Sequence, residues 1–579
     1  MFFFVGGFHS KDRCCGNSGL SNTGCLLIKI SLLACYYSTF SPLTLNSLKV
    51  FQSLSYLPPP PFVEEAFIYK YILSLSLSLS LYQLYSSERY TTRIPIYPLP
   101  LHSTHPSLLP VPYKILKSSN IYTYNFNIKT TQRREMTFIN NQNHWISIFI
   151  LLTICICNIA LASENGLNAF PQSVKLSLTP VYGQMKVSWF TSLENGVSLV
   201  QYSQSQSALQ ASLMNIKLPA GSSVYTANGT SSAFATESNW FGFSNMVLLE
   251  SLEPMTTYFY ACGGKTATSA WTSVRKFTTG SFGKPTSTGS VTPFTVALYG
   301  DMGFGGGFNQ TVQVLVDNLD HYDMILHVGD ISYADYDRVL QGNQTIWNDF
   351  LSTIEPITSS IPYMSTPGNH DVFYSFQAYQ QTFNMPGSSN EPWYSFDYNG
   401  VHFVSYSTES DISPFTRQYQ WLKNDLDTYR SKNPKGWVIA YAHRPYYCST
   451  QWDWCRKQTL RALIESTIGE LFQQYNVDMY LAGHTHAYER TQPVYKQLQI
   501  GNYQYPGATV HMIVGTPGNQ EGLDTNWIYP TPAWSGYRYA ELGYATMSIV
   551  NDTHLLWQFI ADKDQQLIDE QWIVKGYFD

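Results

Sequence analysis

An all-β sandwich followed by an α/β domain is the architecture that this sequence predicts, and three observations carry the prediction. Between Pro171 and Thr279, short apolar runs alternate with period two and are separated by Gly, Asn and Ser. A Gly/Ser/Thr/Pro-rich stretch over 281–293 then interrupts the pattern. From Phe294 onward, continuous apolar runs alternate with helical text, and each run ends in a polar cluster. Period two places every second side chain on one face, which fits half-buried strands of a small sandwich. Continuous apolar strands alternating with helices fit a sheet covered by helices.

Taken in order, residues 1–135 of the 579 read poorly as a folded unit. They hold Pro58-Pro59-Pro60-Pro61, a Leu/Ser repeat from Leu73 to Leu81, and Pro-punctuated text from Pro95 to Pro112. A repeat of this kind fits upstream sequence read into the frame; a disordered or organelle-targeting extension is the alternative. Residues 136–162 read as a signal peptide. An apolar run from Trp145 to Leu161 ends in Ala160-Leu161-Ala162, a small-x-small cleavage pattern. An uncleaved signal anchor is the alternative, although the run is slightly short for a comfortable span. The mature chain is therefore expected to begin near Ser163, in a secreted or lysosomal/vacuolar compartment, with no stable membrane insertion. Asn228, Asn309, Asn343 and Asn551 each open an N-x-Thr glycosylation triplet.

Residues 163–280 carry the sandwich pattern, with strands expected at 174–178, 185–189, 197–202, 246–249, 257–260 and 273–278. No catalytic cluster lies among them, so packing or shaping access to the next domain is the expected role. Residues 294–579 form the second domain. Strands are expected at 294–299, 324–328, 361–366, 437–441 and 477–481, and helices at 418–429 and 461–475.

Charge and cysteine usage bound the function. Residues 1–135 carry 12 basic against 5 acidic side chains, which leaves 22 basic and 35 acidic after them, a net of −13. So acidic a body argues against nucleic acid as partner. It leaves a small anionic substrate open, because bound cations reverse the local field. Only Cys262, Cys448 and Cys455 fall in the folded body, too few for a disulfide scaffold. Cys448 and Cys455, seven residues apart in a chain routed to an oxidising compartment, are the expected pair; two free thiols are the alternative. Cys262 is left without a partner in the mature chain.

The chemistry sits at the strand ends. The run 294–299 meets Gly300-Asp301-Met302-Gly303, and 324–328 meets Gly329-Asp330-Ile331-Ser332-Tyr333. The run 361–366 meets Pro367-Gly368-Asn369-His370-Asp371, 437–441 meets Ala442-His443-Arg444-Pro445, and 477–481 meets Gly483-His484-Thr485-His486. Ligands of open sheets gather beyond the carboxyl ends of strands, so these clusters are expected to converge. A Gly-Asp pair alone is ordinarily a turn, and lone histidines such as His402 and His554 are ordinarily structural or surface residues. Five clusters in order, each at a strand end, are a different matter.

Together these clusters resemble the purple acid phosphatases, a branch of the calcineurin-like metallophosphoesterases, over roughly residues 170–579. Tyr333, three residues after Asp330, separates that branch from most metallophosphoesterases. The resemblance implies a fibronectin-III-like N-terminal sandwich and a catalytic domain with a central β-sheet sandwich flanked by helices. It implies that Asp301, Asp330, Tyr333 and His486 hold Fe(III). Asn369, His443 and His484 would hold a divalent ion (Fe, Zn or Mn), with Asp330 bridging. Hard anionic donors suit a trivalent ion, and an amide with two imidazoles suits a divalent one. The implied function is an acid phosphatase that hydrolyses small phosphate monoesters by attack of a metal-bound hydroxide. His370 is the candidate for binding phosphate or protonating the leaving group; a structural hydrogen bond to a ligand is its alternative. A phosphodiesterase, nucleotide pyrophosphatase or phytase on the same centre competes with this reading, as does a non-enzymatic secreted surface protein. A homo-oligomer is left open.

Two departures from the pattern of many plant members stand out. Ala440 replaces a Val, and Asp453 stands where those enzymes carry a His. The His443-Arg444-Pro445-Tyr446-Tyr447-Cys448 text resembles the animal- and fungal-type branch. Asp453, or His370 alone, is then expected to serve as leaving-group acid.

Overall fold

A computed structural model describes residues 170–576 apart from 195, 236–240, 266–269, 284–290, 336–342, 388–390 and 458. The extension at 1–135, the signal segment at 136–162 and part of the linker at 281–293 lie outside the described residues. Among the described residues no helix is long and apolar enough to cross a membrane.

Seven antiparallel strands build the first part: β1 Gln172–Ser177, β2 Met185–Thr191, β3 Ser198–Ser203, β4 Tyr225–Ala235, β5 Phe241–Leu249, β6 Thr257–Gly264 and β7 Arg275–Thr278, with helix α1 Gln206–Leu213 after β3. Their order is β1-β2-β5-β4-β3-β6-β7. β4 makes this one ladder fold over on itself. Its first half, Tyr225 to Gly229, pairs with β3, and its second half, from Gly229 on, pairs with β5. A Cβ on Gly229 would stand 1.9 Å from the Met246 carbonyl oxygen, so this corner excludes any side chain. Val174, Val187, Trp189 and Val247 from one layer meet Val200, Tyr258, Tyr260 and Phe277 from the other in a single core. β4 has no counterpart among the strands expected from sequence. Its residues are small and polar and mostly solvent-facing, so no apolar alternation marks it.

The second part holds β8 Phe294–Tyr299, β9 Met324–Val328, β10 Tyr363–Thr366, β11 Tyr394–Tyr398, β12 Val401–Ser405, β13 Val438–Tyr441, β14 Met479–Ala482 and β15 Tyr488–Thr491. A two-residue hairpin, β16 Val494–Tyr495 and β17 Leu498–Gln499, follows. β18 Val510–Val514, β19 Ser535–Tyr539, β20 Gly543–Ile549, β21 His554–Ala561 and β22 Leu567–Val574 complete it. One sheet runs β10-β9-β8-β20-β21-β22 and the other β11-β12-β13-β14-β18-β15-β19. Val296, Leu326, Met547 and Trp557 of the first pack against Phe403, Ile439, Leu481 and Met512 of the second. Helices α2 Phe308–Asp317, α3 Gln344–Thr358 and α4 Phe373–Phe383 cover the outer face of the first sheet. Helices α5 Arg417–Lys432 and α7 Thr459–Gln474 cover the second, with the short α6 Asp453–Lys457 between them. In α5, Leu422, Leu426 and Tyr429 form the buried stripe, and the Thr416 side chain caps the first turn by accepting from Tyr419 N.

The strand directions position the site. β8, β9 and β10 are parallel, as are β12, β13, β14 and β18. The loops that leave β8, β9, β10, β13 and β14 therefore emerge along one edge of the two packed sheets. The N-terminal sandwich is fastened to α3 and the end of α4. Arg275 pairs with Glu355, Tyr260 Oη donates to the Ser359 carbonyl at 2.6 Å, and Lys186 Nζ donates to the carbonyls of Asn384 and Met385.

Candidate metal centre

Three of the five loops turn sharply at their first chemistry-bearing residue, and the β9 loop does so again at Tyr333. Asp301, Asp330, Tyr333 and His484 take left-handed backbone conformations, with φ of 60°, 49°, 53° and 66°. Close approach demands glycine beside them. A Cβ on Gly368 would lie 2.2 Å from Asp330 Oδ1, and one on Gly483 would lie 2.2 Å from Asp301 Oδ2.

The side chains form two adjoining groups. In the first, Tyr333 Oη lies 3.3 Å from Asp301 Oδ1 and 2.9 Å from His486 Nε2, and His486 Nε2 lies 3.4 Å from Asp301 Oδ1. In the second, His443 Nε2 lies 3.0 Å from Asp330 Oδ2, 3.2 Å from Asn369 Oδ1 and 3.2 Å from His484 Nδ1. Asp330, His443 and His484 each turn one ligand atom into a common space within 4.8 Å. All seven expected donors are thus brought together, and all but the half-buried Asn369 are buried.

Hydrogen bonds aim the donors. His443 Nδ1 meets the Val328 carbonyl at 3.1 Å and His486 Nδ1 meets the Gly522 carbonyl at 2.9 Å, so each ring presents Nε2 inward. Asp301 accepts from His484 N, and Asp330 Oδ1 accepts from His370 N at 2.7 Å. The buried Asp371 carboxylate accepts from Gly368 N and Ile331 N, tying the β9 and β10 loops together. Asp524 accepts from His486 N at 3.0 Å.

Charge is strongly coupled. Burial works against ionisation of Asp330, but His443 and His370 outweigh it and hold the carboxyl well below its usual range. Burial lowers His443 less than Asp330 and Asp301 raise it, to about 9. His484 is driven well below the ordinary imidazole value by burial, His443 and Arg444. Burial, then the Asp301 and Asp330 carboxylates, push the Tyr333 phenol far up. Only a strong local cation brings that phenol to phenolate. Two carboxylates, a phenol, three imidazoles and an amide, converging inside the protein, fit a pair of metal ions on donor chemistry alone.

His370 stands at the margin of this cluster. Its Nδ1 lies 2.7 Å from Asp335 Oδ2, and its Nε2 is 3.8 Å from both Asp330 Oδ2 and Glu521 Oε1. Asp335, Glu409 and Asp524 did not emerge from the sequence reading. A carboxylate two residues beyond Tyr333 is the only local signal that pointed to Asp335. Asp453 is one of the two leaving-group acids that the sequence leaves open. It opens α6, its side chain is 66% exposed, and it pairs with Lys457 one turn on. The neighbouring Trp452 and Trp454 approach His484 instead, with ring centroids at 4.7 and 4.8 Å.

Family models match three stretches of the chain. These are Purple acid Phosphatase, N-terminal domain (residues 171–279), Calcineurin-like phosphoesterase (294–488) and Iron/zinc purple acid phosphatase-like protein C (508–570). Acid phosphatase type 7 of Homo sapiens is 31% identical over 435 residues, covering 71% of this chain and 92% of the human protein. The chain belongs to the purple acid phosphatases. A protein named Fe(3+)-Zn(2+) purple acid phosphatase 12 of Arabidopsis thaliana is 28% identical, over 58% of this chain and 73% of the plant protein. The structure of a purple acid phosphatase from yellow lupin (Lupinus luteus) seeds shares the fold, with a TM-score of 0.62 and 22% identity over 71% of this chain and 75% of the lupin chain. This purple acid phosphatase is accordingly an enzyme, a metal-dependent hydrolase of the acid phosphatase class.

Cys448 and Cys455 form a disulfide, and Cys262 is free and buried. Asn228, Asn309 and Asn551 are exposed, whereas Asn343 is half-buried and caps α3 by accepting from Thr345 N. His402 is buried between Asp397 and Asp425, and His554 lies exposed at the start of β21.

Proposed function

We propose that this phosphatase hydrolyses phosphate monoesters at an Fe(III)–M(II) pair, M being Fe, Zn or Mn. Asp301, Asp330, Tyr333 and His486 would hold the trivalent ion. Asn369, His443 and His484 would hold the divalent one, with Asp330 shared. The observation that carries the reading is the adjacency of a hard anionic donor group and a neutral amide–imidazole group inside one buried site. The iron and zinc named for the Arabidopsis relative support the same pairing.

When bound, the metal pair supplies the electrophilic grip on the phosphoryl group and the activation of water. The chain's own residues do the rest. Asp335 fixes the His370 ring through Nδ1, so that Nε2 holds a proton for the departing ester oxygen. Glu409 takes two hydrogen bonds from Arg444, whose Nη1 stands 2.7 Å from His484 Nε2. Metal analysis of the purified full-length protein, with rates on matched monoester and diester substrates, tests the reading. Iron with a second metal and faster monoester turnover supports it. Faster diester or pyrophosphate turnover overturns it in favour of a phosphodiesterase or pyrophosphatase on the same centre.

Secretory routing belongs to the same proposal, on the strength of the apolar run ending at Ala162 and the disulfide between Cys448 and Cys455. Amino-terminal sequencing of the natural protein tests it. A start near Ser163 supports it, and a peptide from 1–135 in the mature form overturns it.

A further inference from the structure

Asp562, in the turn between β21 and β22, is buried to within 3% of its surface. Among the described residues no cation pairs with it, and its Oδ1 has no hydrogen-bond partner. Its Oδ2 lies 2.5 Å from Thr311 Oγ1 on α2, and the same Oγ1 lies 2.6 Å from the Pro517 carbonyl oxygen. A hydroxyl has one proton, and a carbonyl oxygen has none to give. Both contacts are full hydrogen bonds, too short for one proton to serve the two. Thr311 therefore donates to Pro517, and the second proton belongs to Asp562, which donates from Oδ2 to Thr311. Burial favours the same state and raises the Asp562 carboxyl to about 6. An unpartnered Oδ1 is also far less costly on a neutral acid than on a carboxylate.

The surrounding groups leave this state in place. Asp317 on α2, Glu541 before β20, and Lys563 and Asp564 in the turn itself are exposed, and residues 515–518 are uncharged. Tyr544 of β20 is held above its ordinary value by burial first and by Asp562 among the rest, with its hydroxyl 2.8 Å from that of Tyr322.

Pro517 belongs to a strap, residues 515–524, that walls the metal centre. A Cβ on Gly515 would stand 2.9 Å from Asp301 Oδ2. Gly307 N donates to the Gly518 carbonyl, and Asn519 Nδ2 donates to the Asp301 carbonyl at 2.9 Å. Farther along, the Gly522 carbonyl and the Asp524 carboxylate hold His486. Pro517 has no N–H of its own, so the Thr311 hydroxyl on its buried carbonyl is its polar anchor among the described residues.

We propose that Asp562 is a positioning residue, a protonated latch that holds this strap on the metal centre, and that its ionisation loosens the strap and lowers activity on the alkaline side. The inference rests on the reading of Asp301 and His486 as metal ligands. On ionisation, Asp562 draws the Thr311 proton to itself and strands the Pro517 carbonyl. The latched state binds the Asp562 proton more tightly than an opened one, in which the carboxyl returns to its ordinary 3.8. Anchoring is therefore complete below about pH 3.8 and is lost as the pH rises through about 6.

Hydrogen exchange of the metal-loaded, full-length protein at about pH 4 and about pH 7, corrected for intrinsic rates, tests the latch. Peptides covering 515–524 are expected to lose protection about tenfold to a hundredfold at the higher pH in the wild type. Asp562→Asn, whose amide donates to Thr311 at every pH, is expected to show no such loss. Thr311→Val is expected to be poorly protected at both, and Thr311→Ser to behave as the wild type. With phenyl phosphate and metal content monitored, the alkaline fall of kcat/KM is expected to move up by about one pH unit or more in Asp562→Asn. Wild-type protection that is equal at the two pH values overturns the proposal, whatever the variants do. An Asp562→Asn variant that follows the wild type in both exchange and pH profile overturns it too. An enzyme that is inactive at every pH and binds no metal removes the ligand reading, whereas the exchange measurement still decides the latch, which separates the two failures.

Discussion

The imidazole of His370 lies stacked on the phenol ring of Tyr333, with centroids 4.2 Å apart and 26° between the planes. Its position is thus set from two sides, by an aromatic face and by the Asp335 carboxylate at Nδ1. If His370 delivers a proton, Asp335 decides where Nε2 points. Asp335→Asn is expected to lower kcat about tenfold to a hundredfold while iron and the second metal stay bound. His370→Ala is expected to cost more, about a hundredfold or beyond, again with the metals retained. Steady-state kinetics beside metal analysis checks both. Full activity in Asp335→Asn would leave His370 oriented by Tyr333 alone.

Tyr333 is completely buried, and its hydroxyl sits between Asp301 and His486. A phenolate bound to Fe(III) absorbs in the visible, so the iron-loaded protein is expected to be coloured and Tyr333→Phe to lose the band. Asp301, Asp330 and His486 remain in that variant, so turnover with two divalent ions is expected to survive in part. An absorption spectrum of the iron-loaded protein and the variant decides it. A band that persists in Tyr333→Phe would remove Tyr333 from the ligand set.

Asp453→Ala is expected to change kcat/KM and its pH profile by no more than about twofold. The side chain points to solvent and its ion pair with Lys457 is surface-exposed, where such pairs contribute about 0–1 kcal/mol. A lost acidic or basic limb in the pH–rate profile would return Asp453 to the role of leaving-group acid.

Cys448→Ser with Cys455→Ser is expected to lower unfolding stability by about 2 kcal/mol, from the entropy of closing a short loop. Both thiols are buried when bonded, so the pair is expected to resist alkylation in the folded protein unless reduced first. Peptide mapping without reduction, and denaturant unfolding of the double variant, provide the two readings.

The seven candidate donors were legible because each is a chemistry-bearing residue a few positions past the end of an apolar run, six of them close to a glycine. Local sequence sets both the turn and the side chain that the turn presents. Glu409 and Asp524 were not legible, because each acts across the fold, one from the loop after β12 and the other from the loop after β18. Neither lies in a pattern until the sheets are assembled. Asp453 shows the opposite case. Its place along the chain matched a catalytic position, but the turn into α6 directs it outward and leaves the flanking tryptophans against His484. The sandwich was legible wherever one strand face is apolar and was missed at β4, whose stability comes from pairing with both β3 and β5.

His402, set aside in the sequence as an ordinary structural histidine, governs stability at the alkaline side. It lies buried in β12, its Nδ1 2.6 Å from Asp397 Oδ1 and its Nε2 2.9 Å from Asp425 Oδ2, with the Tyr429 ring stacked on it at 4.2 Å. Burial disfavours the imidazolium, but the two carboxylates outweigh it and raise the group to about 9. The folded state therefore binds this proton more tightly than the unfolded chain, whose imidazole titrates near the usual 6.5. The contribution is complete below about pH 6.5 and disappears as the pH rises through about 9. Its size is about 3 kcal/mol. His402→Gln removes the titrating proton and leaves an amide NH2 to donate to the aspartates. In urea unfolding at a series of pH values, the wild type is expected to lose stability between pH 6.5 and 9. The variant is expected to be less stable at low pH and nearly flat across that window. A wild type whose stability is level from pH 6.5 to 9 would mean that His402 gains no proton affinity on folding.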